Sequence, residues 1–284
     1  MAAMISPAPT TTQILHGQID PMSVYDLADL QSAVRALETT SLVARLSAIA
    51  GHQIDLVGRF MPAKLQQYGA RATTLALRAA LHTALTSLDK QQRPASRRLH
   101  KGLAAASGIV GGAFGLPGLL VELPVSTTVM LRAIADVARD QGEDLSQPES
   151  ALACLEVFAL GGARATGASI ESSYFAVRSL LAQSVSEAAK FVLSQQVINE
   201  GAPVLVKFIS QIAARFGVVV SQKIVAQAVP LLGAASAAAL NFAFADHFQR
   251  LAHGHFTVRR LERHYGRLLV REEYERLSKK FREK

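Results

Sequence analysis

The sequence predicts an all-α fold, a single multi-helix bundle of about seven to nine helices, and three observations carry that prediction. Apolar residues recur at three- and four-residue spacing in segment after segment, Gly and Pro punctuate those segments, and no run shows the clean alternation of a half-buried strand. Half of the residues are hydrophobic while only 18% are charged, and the mean hydropathy is +0.22. That balance excludes a disordered chain and suffices for a large core.

Residues 1–22 ("MAAMISPAPTTTQ" and onward) have neither the basic nor the apolar region of a secretory signal, so they read as a mobile polar leader before a single domain over 23–284. Asp26 to His52 places Leu27, Leu30, Val34, Leu37 and Leu42 on a helical stripe, and Ala72 to Leu88 repeats it with Leu77, Leu81, Leu85 and Leu88. A helix is expected after Pro124, ending at Gly142. Ser146 and Glu149 have capping-box spacing before a helix that runs through Leu160 and stops at Gly161-Gly162. A long helix follows over about Glu171 to Asn199, and Pro203 starts another. Val218 to Val229 has a β-branched start that allows a strand, but Lys223, two glutamines and the lack of alternation favour helix. A basic helix closes the chain.

Two stretches raise the question of a membrane. Gly102 to Leu131 is 30 residues with one charge, Glu122, and Ile224 to Ala245 is 22 residues with none. Both exceed the ~20 residues that span a bilayer core. Pro117-Gly118 is expected to bend the first into a hairpin whose leading arm, at ~22 Å, is too short to cross, and Pro230 with Gly233 breaks the second. The chain thus contains two Gly/Ala-rich apolar hairpins that lie against a membrane or in the core.

The glycines of "GIVGGAFGLPG" do not form a phosphate cradle. No Lys-Ser/Thr follows them, and "RRLHKGLAAAS" before them is not a strand. Gly108, Gly112 and Gly115, and likewise Gly111, Gly115 and Gly118, fall at i, i+4, i+7, a ridge that lets another helix approach closely. "GGARATGAS" (161–169) and "GAASAAAL" (233–240) are the expected partners.

Of the net charge of +8, Thr257 to Lys284 supplies ten Lys/Arg minus five Glu, or +5. Lys90, Arg93, Arg97, Arg98 and Lys101 against Asp89 supply another +4, so the remainder is close to neutral. Basic patches suit acidic partners. No nucleic-acid module is present, so nucleic acid is not an expected partner. The expected lipid contacts are Arg93, Arg97, Arg98 and Lys101 with the apolar Leu116, Pro117, Leu119 and Leu120.

Residues with chemistry are few. Glu122, between Pro117 and Pro124, reads first as a turn carboxylate, with a buried and partnered carboxylate as the alternative. Arg132 and Asp136 have ion-pair spacing, and Asn241 is a lone amide in an apolar helix. His247, His253 and His255 cluster with Asp246, but their spacing puts no ligand pair on one helical face unless the chain turns at Gly254. No metal or cofactor is expected, and no nucleophile motif is present. Cys154, alone in "ALACLEVFAL", excludes an internal disulfide and fits a reducing compartment.

The ordered set "GIVGGAFGLPGLLVELPVSTTVMLRAIADVARDQGEDL", "LEVFALGGA" and "AVPLLGAASAAALNFAFADHFQRLAHGHFTVRRLERHYG" resembles the EcsC family over about Leu75 to Tyr274, with Glu122 in the place of the carboxylate expected after "GLPG". The resemblance, to a family named for a protein encoded beside an ABC transporter, implies a helical, cytoplasmic protein of a bacterial-type cell working at the inner membrane face, and it supplies no catalytic residues. The leading expectation is a non-enzymatic, membrane-associated accessory protein that binds anionic lipid or a membrane partner. One alternative is a hydrolase or metal-dependent enzyme built from Glu122, Asn241, His247, His253 and His255. The other is a soluble helical scaffold for a partner helix.

Overall fold

The computed structural model describes residues 22–39, 42, 63–88, 115–162, 173–195, 199–227 and 234–282. Among them are eight helices and no strand: α1 (Val24–Thr39), α2 (Ala63–Thr86), α3 (Gly115–Asp140), α4 (Pro148–Leu160), α5 (Ser173–Ser194), α6 (Pro203–Gln227), α7 (Ala234–Tyr265) and α8 (Arg267–Arg282). The all-α expectation holds.

The bundle is organised around α4. Every residue from Ser150 to Leu160 is buried, as expected of a helix that is apolar on all sides. Helices α2, α3, α5, α6 and α7 all pack on it. Phe158 of α4 meets Phe216 of α6 at 5.0 Å and Phe248 of α7 at 5.3 Å between ring centroids. A second aromatic group joins Tyr174 and Phe175 of α5 to Tyr274 of α8, with centroids 5.0 to 5.4 Å apart. Helix α1 lies on α7 and α8.

Several expected boundaries move. Pro117-Gly118 is not a bend: both residues lie in the first turn of α3, which begins at Gly115 instead of after Pro124. A missing N–H costs nothing in a first turn. Pro124 does sit inside the helix, where it leaves the Leu120 carbonyl without its intrahelical donor. The helix persists because Leu123, Thr127, Met130, Leu131 and Ile134 keep one face in the core. The far end is as expected: Gly142 has φ 77°, and Glu143 and Gly142 donate to the carbonyls of Ala138 and Arg139 at 3.0 and 2.9 Å, which is a Schellman end.

The capping box does not form. Gln147 is the N-cap of α4, without a side-chain capping bond, and Pro148 opens the helix. Ser146 instead gives its N–H and its hydroxyl to Asp144 Oδ1, at 3.0 and 2.7 Å. Helix α5 is shorter than expected, ending at Ser194, while Pro203 starts α6 as expected and Val218 to Gln227 continue that same helix. The uncharged run Ile224 to Ala245 is therefore shared between the end of α6 and the start of α7.

Gly161, Gly162 and Gly254 mark close approaches between helices. A Cβ on Gly161 would lie 2.7 Å from the Phe248 ring, and one on Gly162 would collide with the Arg215 carbonyl. Gly254 is no turn either. Helix α7 runs straight through it, with Leu37 of α1 packed 2.8 Å from where its Cβ would stand.

Candidate functional site

Helices α3 and α7 run parallel, and a polar cluster pins each end of their seam. At the N-terminal end Glu122, the single charge between Gly102 and Leu131, is buried. Its Oε1 accepts from Lys223 Nζ at 2.9 Å and from Asn241 Nδ2 at 2.9 Å, and its Oε2 accepts from Lys223 Nζ at 3.1 Å. Lys223, on α6, has no exposed surface, and its ammonium also lies 5.0 Å from the centre of the Phe244 ring. A carboxylate with both oxygens occupied by donors from two other helices suits a clamp better than a base. Just outside it, α3 exposes Val121 and Val125, at 69% and 49%, and α7 exposes Phe242 at 45%. Because the helices are parallel, these three side chains fall on one side of the seam.

At the C-terminal end Glu143 sits in the corner between α3 and α4. Arg259 donates to its two oxygens at 2.8 and 3.1 Å, Ser150 donates at 2.8 Å, and Arg263 bridges it to the Gln141 carbonyl. Burial works to raise the Glu143 carboxyl, but these donors, Arg259 foremost, hold it below its ordinary range. Arg178 of α5 clasps Glu262 of α7 through two bonds of 2.8 and 2.9 Å.

Beside this cluster a groove opens between α5, α7 and α8, with lobes of about 670 and 450 Å³ that share Arg178, Arg259, Glu262 and Arg267. Glu156 of α4 lies in its floor. Burial first of all pushes the Glu156 carboxyl up to about 7, against the pull of Arg178 and Arg259. Its neighbour is His255, whose Nε2 lies 3.9 Å from Glu156 Oε2. Burial, then Arg178 and Arg259, hold His255 well below the ordinary histidine range, so its ring is neutral. Arg178 donates to the Tyr174 hydroxyl at 3.4 Å, which turns the hydroxyl hydrogen toward His255 Nδ1 at 3.2 Å. The ring hydrogen therefore belongs on Nε2, facing Glu156.

The constellation of the enzyme alternative does not come together in one cleft. Glu122 meets Asn241 as that reading required, but the histidines are strung along a straight α7. Fourteen residues, or about 21 Å, separate Asn241 from His255. His247 packs edge-on to Phe248 at 5.2 Å, and His253 faces outward. Among the described residues no group of three or more His, Cys, Asp or Glu side chains converges to hold a metal. Asp136 is bound by Arg139 at 3.0 Å. Cys154 is buried, and burial pushes its thiol far above the reactive range.

Arg93, Arg97, Arg98, Lys101, Gly108, Gly111 and Gly112 lie outside the described residues. Gly115, Leu116, Pro117, Gly118 and Leu119 lie in the first turns of α3. Leu120, expected to meet lipid, is partly buried and packs against the core. Helix α6, over Pro203–Val225, is long and apolar enough to cross a bilayer, with a mean hydropathy of 1.6, and here it packs on α2, α4 and α5.

Sequence reasoning missed Lys223, Glu156, Tyr174 and the arginines of the groove. The signal for Lys223 was present, as the single charge between Val218 and Val229, whose counter-charge is Glu122.

The family model of the EcsC protein family matches residues 28–261, most of the chain, leaving α8 beyond the match. No curated protein matches the chain. No solved structure matches it.

Proposed function

We propose, from the premise that the chain belongs to the EcsC protein family, that it is a non-enzymatic accessory protein resting on the inner face of a bacterial-type membrane and serving a transport or secretion system there. The observation that carries this reading is the exposed apolar patch of Val121, Val125 and Phe242. It sits at the end of the bundle where α3 emerges from the uncharged run 102–120, itself preceded by Arg93, Arg97, Arg98 and Lys101. An apolar patch with a basic stretch near it in the sequence is a pairing that suits anionic lipid surfaces, with each near-surface Lys or Arg contributing about 1 kcal/mol. Beneath the patch, the Glu122–Lys223–Asn241 clamp keeps α3, α6 and α7 together, so the patch is presented on a rigid end.

Flotation with vesicles of phosphatidylcholine and phosphatidylglycerol tests the reading. At low salt the protein rises with the vesicles, and Val121→Asp/Val125→Asp stays behind with its helicity intact. Wild-type protein that remains at the bottom of the gradient overturns the proposal. Wild-type and variant protein floating alike overturns the role of the patch.

A further inference from the structure

We propose that the groove between α5, α7 and α8 is a binding site for a small soluble phosphate-bearing anion, a phosphate ester or a diphosphate. Six basic side chains line its two lobes: Arg178, Lys190, Arg259, Arg263, Arg267 and Arg271. Five carboxylates share the walls, and their arrangement decides what the groove can hold. Glu143 and Glu262 take two N–H groups each from Arg259 and Arg178. A guanidinium has five, so these arginines are fixed in place while still holding donors for a ligand. Lys190 and Arg267 make no hydrogen bond or ion pair among the described residues, and both are exposed at the mouth. Arg267 and Arg271 also mark the first turns of α8, whose free N–H groups add positive potential on that wall.

Glu156 in the floor, with His255 buried behind it, supplies the second, independent observation. His255 is wholly buried, and its Nε2 has no hydrogen-bond partner. It faces Glu156, which is 5% exposed, lines the groove and makes no hydrogen bond among the described residues. Unmade bonds on buried polar groups are costly, and native sites retain them where a ligand completes them. Glu156 lines the groove, and its protonated carboxyl is a donor on the floor beneath the arginines, which suits an oxyanion, while the His255 ring N–H backs it from the core side.

The cations stand on three different helices. A planar carboxylate is satisfied by one guanidinium fork, whereas a phosphate group offers oxygens in several directions and uses all three walls. The source is soluble because the groove lies at the other end of α3 from the apolar patch, about 28 Å along the helix axis from Val121. A lipid headgroup held at one end is out of reach of the other.

Calorimetric titration of the full chain with inorganic pyrophosphate at pH 7 tests the site. Saturable binding tighter than about 1 mM is expected. Lys190→Ala/Arg267→Ala weakens it at least about tenfold by removing two charge-assisted contacts, with an unchanged unfolding midpoint because both side chains are exposed. Lys190→Glu alone acts in the same direction. Glu156→Gln keeps a donor without a charge and binds at least as tightly as wild type. Malonate binds far more weakly than pyrophosphate, and vesicles of phosphatidylcholine with phosphatidylinositol 4-phosphate do not compete with it. Any of four results overturns the proposal: no saturation by about 5 mM pyrophosphate, equal binding by the double variant, malonate matching pyrophosphate, or binding confined to the vesicles.

Discussion

Replacing Lys223 by Met removes one partner of a fully buried ion pair and leaves the other in place. Lys223 has no exposed surface, and its ammonium satisfies both oxygens of Glu122 at 2.9 and 3.1 Å. After Lys223→Met the carboxylate keeps only the Asn241 amide at 2.9 Å. Stranding a buried charge in this way costs about 3–5 kcal/mol, a large share of the 5–15 kcal/mol that separates a folded domain from its unfolded chain. Glu122→Met strands the ammonium instead and costs about as much. The double variant Glu122→Met/Lys223→Met removes both charges and their desolvation, and leaves only the Asn241 amide to lose its acceptor, about 1–3 kcal/mol. The singles therefore sum to about 6–10 kcal/mol while the double loses no more than about 3. Urea unfolding followed by far-ultraviolet circular dichroism, with the slope compared across the set, reads these differences. Additive single variants, or a Lys223→Met loss under about 1 kcal/mol, would show that water reaches the pair and refute the reasoning.

Two further predictions concern stability. The folded protein holds a proton on Glu156 up to about pH 7, whereas the unfolded chain releases it near 4.5, so this carboxyl costs stability as pH rises through that window. Glu156→Gln is thus more stable than wild type by about 1–3 kcal/mol at pH 8 and indistinguishable near pH 4.5, and a difference that does not grow with pH contradicts the assignment. Gly162→Ala and Gly217→Ala move stability in opposite directions. A Cβ at 162 meets the Arg215 backbone and costs about 1–3 kcal/mol, while one at 217 has nothing within 4 Å and gains up to about 1 kcal/mol of helix propensity. Thermal unfolding of both variants checks the signs.

Much of the bundle was legible because periodicity reports which face is buried, as in α1 and α2. The α3–α4 corner was legible too, since a left-handed Gly142 is a local requirement. The shifted start of α3 has one cause: Pro117-Gly118 and Pro124 read as breaks in the sequence. Pro117 and Gly118 sit where a first turn tolerates them, and tertiary packing carries the helix past Pro124. Gly254 is small because α1 lies against it, a fact held by Leu37 and Ala33 more than 200 residues away in sequence. The candidate site was half legible for the same reason. Glu122 and Asn241 stood out as polar residues in apolar runs, but nothing local revealed that Lys223 joins them. His255 was noticed for its neighbours in sequence, whereas its partners, Tyr174 and Glu156, belong to other helices.

The parallel seam of α3 and α7 also limits how this chain can change in length. Asn241 and Arg259 are 18 residues apart, five helical turns, and each is bonded to a different end of the same neighbouring helix. Inserting one residue between them would swing Arg259 by about 100° and advance it 1.5 Å, away from Glu143, while Asn241 stayed on Glu122. Deletions act in the same way with the opposite sign. The two clusters thus measure α7 against α3 as two marks on a rule, so variation in length belongs in the segments between helices, and a variant that lengthens α7 within those 18 residues must lose one end or the other.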